Sequence, residues 1–200
     1  MKYKAIGFDY GGVVHGSTSS VFTDKVCKEI GVTKEQYLEA YFRYNKKVNR
    51  GEITWDELWK SVLTDLGCPN KVQAVIEISN DVSDDKINSN ILELSDHLRS
   101  KGYRTGVLSN NTREAAQTMR DEGIYKHFDV LQVSAETGFV KPELDSFKHF
   151  SDELEVQLSE LIFIDDSEKS LSTANEVGFT PLLFESYEQL ISDLKQYKIL

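Results

Sequence analysis

Cysteine is scarce in this chain: Cys27 and Cys68 are the only two among 200 residues. They lie far apart and without metal-ligand spacing. Neither a zinc site nor a disulfide scaffold is expected, only two reduced, partly buried thiols. No apolar run approaches the length of a membrane span. The opening Met1-Lys2-Tyr3-Lys4 is too soon interrupted by charge to read as a signal peptide, so a cytoplasmic location is expected. Positive charge is also short, with 23 Lys and Arg against 33 Asp and Glu and a formal net charge of -10. That balance speaks against nucleic acid and anionic membranes as partners, since both are bound through basic patches. It leaves open a small phosphorylated molecule, which a few local donors and a cation can hold. Internal repeats and low-complexity segments are absent, and nothing in the sequence reads out an oligomeric state.

What is present is an ordinary globular composition, 40% hydrophobic and 28% charged. The length suffices for one core, or for a core with a small insert. Residues 4–8 read as a strand ending at Asp9, after which Gly11-Gly12 turn the chain. From Ser20 to about Gly67 the pattern is helical. Thr33 with Gln36, and Thr54 with Glu57, have capping-box spacing, and Gly31, Gly51 and Gly67 stand where helices stop. Phe22, Tyr37, Tyr41, Phe42, Tyr44, Trp55 and Trp59 are expected to form a small helical core, with room for one or two of them to face a substrate.

From about Asn88 helices and strands alternate. A helix runs through Ile91, Leu94 and Leu98 to Gly102, followed by a strand over 103–108 and a helix over 112–123. A strand over 130–133 comes next, then a helix after Pro142 through Phe147 and Phe150. The strand over 161–164 is almost wholly apolar, as expected of a strand buried on both faces. A helix over 167–177, a strand over 179–184 and a helix from about Tyr187 complete the chain. This alternation predicts an α/β fold, a Rossmann-like parallel sheet with helices on both faces. The first strand then joins the later ones. Residues 1–15 and 89–200 form the core, and 16–88 are a helical insert.

In open parallel sheets ligands bind beyond the carboxyl ends of the strands. Asp9, Ser109-Asn110 and Asp165-Asp166 end strands there, and Lys141-Pro142 follows another strand and opens a helix. Each alone reads as a turn or cap, but all of them at one sheet edge do not. Three carboxylates brought together repel one another unless a cation is present, and oxygen-only ligation suits magnesium. Lys141, the Ser109 hydroxyl and the backbone N–H groups of Tyr10, Gly11 and Asn110 can hold phosphate oxygens. Asp9 is then placed to attack phosphorus, with charge stabilisation from the metal and the donors.

These segments resemble the haloacid dehalogenase (HAD) superfamily over nearly the whole chain. Phe8-Asp9-Tyr10-Gly11-Gly12-Val13-Val14 is similar to its first motif, and Val107-Leu108-Ser109-Asn110 to its second. Val140-Lys141-Pro142-Glu143 is similar to the third, and Phe163-Ile164-Asp165-Asp166-Ser167 to the fourth. The resemblance implies that Asp9 is the nucleophile, that Asp9, the Gly11 carbonyl and Asp166 ligate magnesium, and that Asp165 acts mainly through water. It makes residues 16–88 the helical cap of the family. Arg50-Gly51-Glu52-Ile53 resembles the branch that contains sugar-phosphate phosphatases.

Two positions depart from the family. Most of its phosphatases carry a second Asp two residues after the nucleophile, as proton donor and then base; here Gly11 keeps the backbone carbonyl and supplies no proton, a loss typically worth about 10² to 10⁴ in rate. Ser170 stands where Asn is usual. His15 is a conceivable substitute acid, though a hinge or surface role suits it better. Arg43, Lys46, Lys47 and Arg50 are placed to meet an anionic substrate, although a solvated helix face explains most such charges. The leading expectation is a magnesium-dependent phosphomonoester hydrolase acting on a small metabolite through an aspartyl-phosphate. The alternative is a binding or regulatory protein on the same fold, with weak or no catalysis because of Gly11. Metal-free dehalogenase chemistry ranks last, since those enzymes carry Tyr at the position of Gly11.

Overall fold

The computed structural model describes residues 2–16, 19–81 and 87–200. Within the expected insert, residues 17, 18 and 82–86 lie outside the described residues. Five strands, β1 (Ala5–Phe8), β2 (Arg104–Ser109), β3 (Val130–Val133), β4 (Leu161–Asp165) and β5 (Thr180–Leu183), form one sheet in the order β3-β2-β1-β4-β5. Every pairing is parallel. The hydrophobic runs of β1 and β4 are buried throughout, because helices cover both faces.

The helices in chain order are α1 (Ser19–Ile30), α2 (Lys34–Asn49), α3 (Trp55–Asp65), α4 (Val72–Asp81), α5 (Ser89–Ser100) and α6 (Arg113–Asp121). They continue as α7 (Ser134–Thr137), α8 (Leu144–Glu153), α9 (Glu168–Leu171), α10 (Ala174–Val177) and α11 (Tyr187–Gln196). One face of the sheet presents Ile6, Phe8, Val107, Ile162 and Ile164 to Leu98, Met119 and Leu190 of α5, α6 and α11. The other presents Ala5, Leu108 and Phe163 to Phe147, Phe150 and Val177 of α8 and α10. Gly7 and Gly106 are register partners on β1 and β2, and the Phe150 ring fills the room that their missing side chains leave.

Helices α1–α4 have an apolar cluster of their own, built on Val26, Tyr37, Leu58, Trp59, Val62 and Val75. Trp59 is fully buried among the rings of Phe22, Tyr37, Tyr41 and Trp55. The expected aromatic core is therefore present, with Phe42 the exception at 57% exposed. Both capping boxes form, from Thr33 with Gln36 and from Thr54 with Glu57. Gly31, Gly51 and Gly67 take the left-handed conformation at the helix ends. Among the described residues no helix is long and apolar enough to cross a membrane.

The structure differs from the sequence reading in three places. Helix α4 was not anticipated: its apolar spacing is carried by Val72, Val75 and Ile78 over barely three turns. The short α7 was likewise not expected. The helix expected over 167–177 is broken into α9 and α10, where the Ser172 hydroxyl donates to the Lys169 carbonyl and the Thr173 hydroxyl donates to the Pro142 carbonyl. Such side-chain bonds compete with the helical ladder.

A Cβ added to Gly106 would lie 2.9 Å from two Phe150 ring atoms. Gly106→Ala should therefore destabilise the protein by about 1–3 kcal/mol through overpacking. Combined with Phe150→Leu, the cost should fall below the sum of the single costs, since the second change removes the ring that the first one strikes. Urea denaturation of the four proteins measures this; strict additivity would show that the glycines do not serve the ring.

Candidate active site

The strand order reverses at β1, whose neighbours β2 and β4 lead to opposite ends of the sheet. The crevice beyond the carboxyl ends of the strands opens at such a point. Asp9 follows β1 directly, Asp165 ends β4, and Phe8 is in register with Ile164, so the two carboxylates leave adjacent strands side by side. Ser109, at the end of β2, is buried beside them. Oxygens of Asp9, Asp165 and Asp166 all lie within 4.8 Å of one another.

Lys141 reaches this cluster from the loop before α8. Its ammonium lies 2.8 Å from Asp9 Oδ1 and 2.6 Å from Asp165 Oδ2, and its side chain is almost wholly buried. The Phe163 ring lies beneath it, 5.1 Å from Nζ. Asn110 fixes the lysine's backbone from β2's end: its side-chain oxygen accepts from the Lys141 N–H at 2.8 Å, and its NH₂ donates to the Lys141 carbonyl at 2.9 Å. The Lys141-Pro142 peptide is cis.

The three carboxylates are not equivalent. Asp165 is fully buried and both of its oxygens are engaged, Oδ2 by Lys141 and Oδ1 by the Ser167 N–H at 2.9 Å. Asp9 Oδ1 accepts from Lys141 and from the Tyr10 N–H at 2.7 Å. Asp166 is more exposed and lies close over Gly12, where a Cβ would come 2.1 Å from its Oδ2. Gly12 is also left-handed, with φ of 80°. The glycine is thus required twice over, by conformation and by the approach of the carboxylate.

Burial pushes the Asp9 carboxyl up to about 7; the nearby Asp165 adds to that rise, against the pull of Lys141. Asp166 is raised as well, by burial and by Asp165. If all three carboxylates are ionised, the one ammonium leaves two negative charges in a poorly hydrated pocket, which a divalent cation would balance. The donor set is hard oxygen, as magnesium prefers. Asp166 and the second oxygen of Asp9 are the carboxylate positions left for such an ion, while Asp165 is committed to Lys141 and Ser167.

All of the expected site residues therefore meet at one sheet edge. Gly11 is exposed, lies outside the left-handed region, and has no atom of the described residues within 4 Å of where a Cβ would stand. His15 is held by backbone bonds to Tyr10 and Gly12 and stacks on the Tyr10 ring. Its Nδ1 faces the Gly16 carbonyl at 3.2 Å, and no hydrogen bond from its ring to the carboxylate cluster is present among the described residues. Of the basic residues singled out on α2 and just after it, Arg43 pairs within the insert, with Glu39 and Asp65. Arg50 and Lys46 instead cross to the core and bind Glu143 at 2.8 and 2.9 Å. The sequence reading did not foresee Glu143 as their partner, nor the clamp by Asn110; the only signal for either was adjacency to Lys141 and Ser109.

A family model described as haloacid dehalogenase-like hydrolase matches residues 3–178. Among curated proteins, bifunctional epoxide hydrolase 2 of Rattus norvegicus is 28% identical over 116 residues, 55% of this chain and 21% of that protein. The chain thus spans about a fifth of the length of the curated relatives it first matches. Sesquiterpene phosphatase astK of Aspergillus oryzae is 23% identical over 182 residues, covering 90% of this chain and 89% of the other. A HAD-like family hydrolase from Porphyromonas gingivalis superposes with a TM-score of 0.76 at 22% identity, over 99% of this chain and 98% of that one. A HAD family enzyme from Bacteroides thetaiotaomicron, solved with magnesium and inorganic phosphate, superposes with a TM-score of 0.71 at 22% identity, over 94% and 98%.

The raised Asp9 acid has a consequence for stability. Between about pH 4 and 7 the folded chain keeps a proton that the unfolded chain has lost, so this group's contribution is present in acid and is lost as pH rises through 7. In EDTA, Asp9→Asn should remove that loss. The variant's advantage over the wild type in urea denaturation should widen by about 2 kcal/mol between pH 5 and pH 8. Parallel curves for the two proteins would mean that Asp9 is not held in its acid form.

Proposed function

The chain belongs to the haloacid dehalogenase-like hydrolase family, and on that premise we propose that it is a magnesium-dependent phosphomonoester hydrolase acting on a small phosphorylated metabolite. The observation that carries this reading is the Lys141 ammonium shared between Asp9 and Asp165, with Asp166 alongside. Magnesium in the Bacteroides thetaiotaomicron enzyme and the phosphatase activity named for the Aspergillus oryzae relative support it.

Asp9, the Gly11 carbonyl and Asp166 would hold the magnesium, with Asp165 acting through water. Bound there, the metal would offset carboxylate and phosphate charge. Lys141, the Ser109 hydroxyl and the N–H groups of Tyr10, Gly11 and Asn110 would grip the phosphate; the Tyr10 N–H would exchange the Asp9 carboxylate for a phosphate oxygen. A carboxylate oxygen of Asp9 attacks phosphorus, the ester P–O bond breaks, and the leaving alkoxide takes a proton from solvent. Water then attacks the aspartyl-phosphate, releasing phosphate and freeing Asp9. Asn110 and Asp165 are positioning residues, since they hold Lys141 from its backbone and from its ammonium. Residues 16–88 act as a cap over the strand ends of the core, 1–15 and 89–200.

Gly11 favours a second reading, a binding protein with little turnover, and one experiment separates the two. Millimolar magnesium should raise the melting temperature by mass action, and Asp166→Ala should lose that response. With magnesium, a panel of phosphorylated metabolites should be hydrolysed, and Asp9→Asn should abolish turnover while folding normally. Binding without magnesium-dependent hydrolysis would establish the second reading.

The open space at Gly11 makes a further outcome predictable. In Gly11→Asp the added Cβ meets no atom of the described residues within 4 Å, and the backbone there is not left-handed. A general acid matters most for poor leaving groups, so the variant should speed hydrolysis of alkyl phosphates by about 10² and leave nitrophenyl phosphate nearly unchanged. Matched alkyl and aryl kinetics measure this. A stable variant that gains nothing on alkyl esters would show that leaving-group protonation is not the missing step.

A further inference from the structure

A cleft of about 400 Å³ runs between the helical insert and the core and ends at Asn110 and Lys141. That is the size of a small-metabolite pocket. Among the described residues, the charged ones that line it are Lys46 on α2, Lys141, Glu143 and Lys169 on α9, three ammonium groups against one carboxylate. This excess of positive charge stands in a chain whose net charge is -10.

The charges divide in a definite way. Lys141 is neutralised by Asp9 and Asp165. Glu143 is taken by Arg50, whose Nη2 lies 2.8 Å from both of its oxygens. The contact of Lys46 with the same carboxylate, at 2.9 Å, is thus a second one, and the lysine side chain is 63% exposed. Glu143 keeps a counter-ion if Lys46 swings away. Lys169 has no carboxylate within ion-pair distance among the described residues; its ammonium stands 5.7 Å from the centre of the exposed Phe42 ring. From the insert, the exposed Lys46 ammonium faces the cleft while sharing Glu143 with Arg50, and from the core Lys169 faces it with no carboxylate partner among the described residues. An apolar ring lies beside Lys169, and the amides of Asn45 and Asn49 line the same wall.

Resting on the phosphatase reading of the same site, we propose that the substrate is a phosphomonoester with a second anionic group, a carboxylate or another phosphate, at the far end of a short carbon chain. The ester phosphate lies at Lys141. The carbon chain lies along the Phe42 ring, and the second anion is bound between Lys169 and Lys46, drawing Lys46 off Glu143. The two ammonium groups come from opposite sides of the cleft, so such a tail also bridges the insert and the core.

Paired ligands that differ only in the tail test this. Phosphoglycerate is compared with glycerol phosphate, and fructose bisphosphate with fructose monophosphate. Each is titrated calorimetrically into the Asp9→Asn protein with magnesium, and each is also assayed for hydrolysis by the wild type. The member with the anionic tail should bind about tenfold more tightly in at least one pair, as two part-exposed charge contacts allow; the pair that responds identifies carboxylate or phosphate. Adding Lys46→Met and Lys169→Met together should bring the ratio within that pair to about one, and the ratio should shrink as salt rises. Equal affinities within both pairs overturn the proposal, and so does a preference that survives the double replacement. If nitrophenyl phosphate is hydrolysed in that case, the phosphatase reading stands without the tail site. If no phosphate ester is bound or hydrolysed, both fall.

Discussion

The site is organised around one buried ammonium. Lys141 is held within 2.8 Å of Asp9 and 2.6 Å of Asp165, in a pocket where neither carboxylate is well hydrated. An unpaired charge buried there would be costly, and removing one partner of such a group leaves the others uncompensated. Much of the surrounding structure can be understood as keeping that lysine in place. Asn110 clamps its backbone from β2, Phe163 of β4 lies under its ammonium, and Thr173 ties down the carbonyl of the following Pro142. Three segments remote in sequence thus share one constraint. The break between α9 and α10 is the local cost of one of these ties.

The same lysine couples the site to the helical insert. Glu143 follows two residues after it and receives Arg50 and Lys46. Close by, Gly51 comes so near the core that a Cβ would stand 2.3 Å from the Ala135 carbonyl. That carbonyl accepts from Arg113 Nε at 2.9 Å, so the surface that Gly51 meets is fixed from the core side. The insert therefore rests on the core through charges and a backbone contact, whereas its apolar cluster is its own. Contacts of this kind are exposed to water and salt and tie two bodies less firmly than a shared apolar core would.

Much of this was legible in the sequence, because strand ends, glycine stops and capping boxes are local signals. Asp9, Ser109 and Asp165 each end an apolar run, and the parallel topology inferred from alternating elements brings such ends to one edge. Thr33 and Thr54 announced their helices through residues three positions on. What was not legible depends on side chains that meet across long separations. The Arg50–Glu143 pair spans 93 positions, and the Asn110–Lys141 clamp spans 31. Neither leaves a periodic trace. Helix α4 was missed for a different reason, its apolar face being too short to stand out.

The two adjacent glycines that follow Asp9 and Tyr10 bear differently on the site. Gly12 is imposed by geometry: its φ is 80° and the Asp166 carboxylate occupies the space of a side chain. Gly11 is imposed by nothing among the described residues, since a Cβ there would meet none of their atoms within 4 Å. Steric need therefore accounts for only one of them. The lack of an acid at position 11 is a chemical feature of the site rather than a by-product of its packing. His15 makes no hydrogen bond to the carboxylate cluster among the described residues; its backbone is built into the turn and its ring is stacked on Tyr10. On the proposed phosphatase reading, Gly11 supplies no proton to the leaving oxygen, and the rate on a given ester would depend on how well its leaving group bears negative charge. On that reading, selectivity among substrates with equal leaving groups would come from contacts made further along the molecule, in the cleft between insert and core.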